Sequence, residues 1–154
     1  MTWQELRTGV YEPDGSMRDL CVLAATRQQW RNWVAYVNQH YRVEWSAEDH
    51  HEGQKFPAID QEYIARRWDK GAEALSTSAC LFLGHVHVTC YFTSEEVIEN
   101  VIAPWEFTSL EDHDRLMAYL VDWSTALGTE VLVTYESFPE GVYLRVKGTA
   151  IHFE

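Results

Sequence analysis

The chain has 154 residues, a length that suits one domain (residues 1–154) and is short for two. It is 46% hydrophobic and 14% aromatic with seven Trp, which excludes a disordered chain, because disordered chains lack the apolar surface that offsets the entropy of folding. Its formal net charge of -12 argues against nucleic acid as a direct ligand, since a field of that sign repels phosphate backbones.

Residues 3–11 alternate loosely and lead into Glu12-Pro13-Asp14-Gly15-Ser16, where Pro presets φ and Gly accepts a positive φ. This predicts a hairpin that returns through Leu20-Cys21-Val22-Leu23 as a buried strand. Thr26 with Gln29 three residues on fits a capping box. Trp30, Trp33, Val34, Val37 and Tyr41 then follow helical spacing and predict an amphipathic helix with an aromatic inner face. Residues 41–46 alternate as a strand with Tyr41, Val43 and Trp45 on one side. Residues 46–57 read as a surface loop centred on Asp49-His50-His51-Glu52-Gly53.

Asp60 is placed to cap a shorter helix through Trp68, ending at Gly71. Residues 78–92 are rich in β-formers, and Gly84 marks a tight turn or a bulge within them. Residues 97–102, dominated by Val and Ile and followed shortly by Pro104, read as a strand. Ser109 and Asp112 bracket the start of the clearest helix, whose acidic first turn suits the macrodipole. Leu116, Met117, Leu120, Val121, Ser124 and Leu127 form its inner face, and Gly128 stops it. Residues 130–137 and 142–147 form a hairpin around Phe138-Pro139-Glu140-Gly141, and residues 150–153 add an edge strand. The resulting order, ββαβ(α)βββαββ, implies an α+β fold: a mainly antiparallel sheet with two main helices, and a short third, packed on one face.

Cys21, Cys80 and Cys90 are odd in number and lack CxxC spacing, so a disulfide framework is not expected and a reducing, cytoplasmic compartment is. No run approaches the roughly 18 apolar residues of a membrane span, and the N-terminus has no apolar signal region. Cys21 and Cys80 sit among apolar neighbours and read as inert core thiols; Cys90, near His87, is the one open to other use. No GxSxG, P-loop, GxGxxG or HExxH pattern is present, so no catalytic residue and no cofactor is assigned. In His85-Val86-His87 the two imidazoles would share a face of a regular strand. Two are fewer than a zinc site usually employs, and Cys90 has the opposite parity, so no native metal site is expected. His50 and His51 read as part of an exposed polar loop.

Charge is the most unusual feature. Residues 1–70 hold 9 basic and 11 acidic side chains, whereas residues 71–154 hold 3 and 13. The run Glu95, Glu96, Glu99, Glu106, Glu111, Asp112 and Asp114 contains no Lys or Arg and is expected to form one exposed acidic face. Such a face speeds encounter with a basic protein, as in immunity proteins that neutralise basic bacterial toxins, a class analogy only. The favoured function is therefore a non-catalytic binding protein. Two alternatives remain open: a small metal-dependent enzyme built on His85 and His87, and a structural or small-ligand-binding domain with an aromatic pocket.

Overall fold

In the computed structural model, which describes residues 1–48, 50–71 and 77–154, the chain opens with a helix where the alternation had suggested a strand. Helix α1 (Trp3–Thr8) is set by a capping box: the Thr2 hydroxyl accepts the Glu5 N–H, and the Glu5 carboxylate accepts the Thr2 N–H. That reciprocal pair satisfies two otherwise orphaned donors and outweighs a weak period-two pattern in so short a segment. The turn at residues 12–16 leads into β1 (Arg18–Val22), and Leu23, expected in the strand, lies beyond it and is exposed.

The second helix follows its sequence signals. Thr26 caps α2 (Arg27–His40) through a capping box with Gln29, and Trp30, Trp33, Val34 and Val37 are all buried. Strand β2 (Arg42–Ala47) buries Val43 and Trp45. Asp49 lies outside the described residues. His50 and His51 are not a free-standing polar loop: the His50 ring packs 4.6 Å from Tyr63 and 5.3 Å from Trp45, in a small aromatic cluster. Asp60 caps α3 (Gln61–Asp69). Strands β3 (Thr77–Leu83) and β4 (Val86–Tyr91) are joined by a tight turn at Gly84, whose φ of 65° suits glycine. Next come β5 (Ile98–Ile102) and α4 (Leu110–Leu127), the latter capped by Ser109 and stopped by Gly128 in the left-handed region. The last hairpin turns earlier than expected, at Glu136 and Ser137, so residues 138–141 belong to β7. Strand β7 (Phe138–Lys147) pairs with β6 (Val131–Tyr135) through two register irregularities, and β8 (Ala150–Phe153) forms the edge.

The eight strands make one antiparallel sheet in the order β2-β3-β4-β5-β1-β6-β7-β8. The helices pack on one face, as an α+β class with a mainly antiparallel sheet requires. Strand alternation decides what each face carries. Leu20, Asn100, Cys90 and Val133 point to the helices, while Asp19, Cys21, Glu99, Val101 and Thr89 point the other way. Between sheet and helices, Trp33 donates through its indole N–H to the Tyr119 hydroxyl at 3.1 Å, and Tyr119 donates in turn to Asn100. This buried chain ties α2, α4 and β5 together with its donors aligned. Burial pushes the Tyr119 phenol well up. No helix among the described residues is long and apolar enough to cross a membrane.

Candidate binding face

The acidic run does not form one surface, and the reason is topological. Glu95 and Glu96 lie in the turn before β5, whereas Glu106, Glu111, Asp112 and Asp114 lie after it. A five-residue strand separates the two groups by roughly 17 Å at about 3.4 Å per residue. Glu95 pairs with Arg27 of α2, which also binds Asp69. Glu111 pairs with Arg115, and Glu106 accepts from the His87 amide and ring. Asp112 is only 2% exposed and faces inward, accepting the Thr108 amide at 2.9 Å while His85 Nε2 lies 2.8 Å from its other oxygen. Burial raises the Asp112 carboxyl, but the hydrogen bonds from Thr108 and His85 outweigh it and hold the group below its usual value. Asp112 thus serves the start of α4. Glu96 and Asp114 are exposed at opposite ends of the acidic run.

His85 and His87 part company for a local reason. His85 sits in the β3–β4 turn, not in the strand, so strand parity does not bind the pair. It turns to Asp112 on α4, while His87 lies on the open sheet face against Glu106. Among the described residues no group of three or more His, Cys, Asp or Glu side chains is placed to hold a metal. Cys90 is fully buried against the helices, and its thiol is pushed well up by burial. Cys80, read from sequence as a core residue, instead alternates onto the open face and is partly exposed.

What sequence reasoning missed lies at the sheet centre. Strands β1 and β5 occupy the two middle positions, and their register places Asp19 opposite Val101 and Cys21 opposite Glu99. Asp19 and Glu99 are therefore diagonal neighbours on the open face, roughly 7–8 Å apart. The tip of the β6–β7 hairpin leans over them, pinned by the Ser137 amide donating to Asp19 at 2.8 Å. Ser137 adopts a φ of 56° to make that contact. The result is a cavity of about 260 Å³ with Leu23, Val97 and Pro139 as apolar walls and Cys21 and Thr134 at its base. Cys21 is 4% exposed, and its thiol has no hydrogen-bond partner among the described residues. Burial, then the nearby Asp19 and Glu99 charges, pushes that thiol up to about 12.

Neither carboxylate meets a Lys or Arg among the described residues. Both are held above the usual carboxylate range, each first by burial. For Asp19 the Ser137 amide opposes this and the Glu136 charge adds to it; for Glu99 the Asp19 charge adds. Like charges on neighbouring strands destabilise a sheet. The sign of the pH dependence follows. A carboxyl whose folded pKa is raised favours folding while protonated and costs stability as pH rises through that value. Glu99→Gln should therefore raise the melting temperature at pH 7 and leave it unchanged near pH 3, where both forms are neutral. The gain should stay below about 1 kcal/mol, because a half-exposed group is screened by solvent. A melting curve at the two pH values checks this; destabilisation at pH 7 would show that Glu99 has a favourable partner.

The open face is also less polar than a solvated sheet face usually is. Leu132 and Thr134 are buried on it, Tyr91 and Leu23 are 41% and 47% exposed, and Phe82 and Val101 are half-buried. A second recess lies on the helix side, between α1 and residues 104–108, and is lined by aromatic rings. Comparison with known protein families, curated proteins and solved structures finds no match to this chain.

Proposed function

We propose that the chain is a non-catalytic binding protein that engages a basic protein through the open face of its sheet. The observation that carries this reading is the Asp19–Glu99 pair: two half-buried carboxylates at the sheet centre with no cation beside them among the described residues. A partner's Lys or Arg fits the cavity, its aliphatic stem against Leu23, Val97 and Pro139 and its charge between the carboxylates. The surrounding Tyr91 and Leu23 supply apolar contact of the kind that marks interaction sites. The net charge of -12 would steer such an encounter. A basic toxin held by an immunity-type inhibitor is the partner class that this chemistry suits.

The test uses a nine-residue arginine-rich peptide at 150 mM salt, where exposed charges beyond about 8 Å are largely screened. Asp19→Asn with Glu99→Gln should weaken binding roughly tenfold or more, the loss expected when a charge-assisted contact goes. Glu62→Gln with Asp114→Asn removes the same charge elsewhere and should change binding less than about twofold. Equal losses from the two pairs would reduce the effect to net charge and sink the reading.

A further inference from the structure

Six of the seven Trp are buried or half-buried; Trp105 is 54% exposed and has no ring partner among the described residues. It is not displayed by accident of a loose loop. Residues 104–106 form a single turn of 3-10 helix that starts at the buried Pro104 and runs into the buried Phe107. Between them Glu106 accepts two hydrogen bonds from His87, at 3.2 and 2.8 Å. The indole is thus presented to solvent by a turn anchored on both sides, at low entropic cost to any ligand that stacks on it.

Beside Trp105 lies a recess of about 300 Å³, the lower end of the range for small-ligand pockets. Its far wall is a ladder of rings: Trp3 stacks on Tyr11 at 5.9 Å and Tyr11 on Phe107 at 4.3 Å. The Tyr11 hydroxyl is engaged with His113 Nδ1 at 2.7 Å, which fixes the ladder's orientation. Arg7 lines the same recess, and its guanidinium makes no ion pair among the described residues, in a chain with twice as many carboxylates as cations. Tyr11 and Phe107 are buried and back the recess, so the rings that a ligand can reach are half-buried Trp3 and exposed Trp105. Two such rings and a guanidinium are complementary to a flat ring that carries a negative charge.

We infer that the recess between α1 and Trp105 binds a planar aromatic carboxylate of small-molecule size, with its ring against Trp105 and Trp3 and its anionic group on Arg7. A small acid suits a recess of about 300 Å³ better than an extended peptide. The site is on the helix side of the sheet, so the inference is independent of the open-face reading.

The probe is indole-3-acetate, with neutral indole-3-acetamide as the second arm, each titrated by calorimetry and by the indole N–H resonance of Trp105. The acetate should bind with a shift confined to Trp105 and Trp3, and the amide about tenfold more weakly. Arg7→Gln should weaken the acetate about tenfold and leave the amide unchanged, the discrimination expected of one charge-assisted contact. Trp105→Ala should abolish both. Arg7 and Trp105 are exposed, so both variants retain the core. The absence of acetate binding at 10 mM would overturn the inference, as would equal affinity for acid and amide, or tight binding of a proline-rich nonapeptide by this surface instead.

Discussion

Replacing Trp33 with alanine is expected to cost about 3–5 kcal/mol, the usual result of truncating a buried large aromatic. Trp33 is fully buried and contacts Trp30, Phe92 and Trp123 at ring distances of 5.7–6.4 Å. The substitution also removes the donor to the Tyr119 hydroxyl, leaving that buried group with a single partner. The cost should therefore fall toward the upper end of the range. Urea denaturation checks it, and a loss below about 1.5 kcal/mol would mean that α2 holds the sheet through other contacts.

The second large effect is expected at Arg18, a cation with no exposed surface. Its guanidinium donates to the carbonyls of Val10, Glu12, Ser16 and Met17 and to Asp14. It is the hub that closes the turn between α1 and β1. Arg18→Met keeps the apolar stem but leaves those carbonyls without their donor. The bond to Val10 is buried and the others are partly so, and water can reach part of what is abandoned, so the change should cost about 2 kcal/mol. Amide exchange should speed up first at residues 9–17. The Asp14 carboxyl, held at about 2 first by the Ser16 hydroxyl and amide and then by Arg18, should move up toward its usual range. Unchanged exchange in this segment would show that the turn closes without Arg18.

How legible each feature was in the sequence depended on how far apart its parts lie. The caps at Thr26, Asp60 and Ser109 and the stop at Gly128 are local chemistry, and each sets an element boundary in the structure. The aromatic face of α2 is local too, through its 3.6-residue period. The Thr2–Glu5 capping box is equally local, but the loose alternation of residues 3–11 hides it. Trp123 and Tyr119 on α4 were missed because the helix has apolar residues on most sides, which hides the inward stripe. His85 and His87 were misplaced relative to one another because a strand start one residue later changes where a side chain points. The Asp19–Glu99 pair had no signal at all. Those residues are eighty positions apart, and only the adjacency of β1 and β5 in the sheet brings them together. The acidic run misled for the converse reason: closeness in sequence across β5 is separation in space.

The most direct test of the open-face reading is where a basic ligand lands. The measurement is a nitrogen-15 amide map of the full chain titrated with the arginine-rich nonapeptide at 150 mM salt. The predicted result is a footprint on β1, β5 and the β6–β7 hairpin tip, strongest at Asp19, Cys21, Glu99 and Ser137. A footprint centred on Glu111 and Asp114 at the start of α4, or spread evenly over every exposed carboxylate, would contradict it.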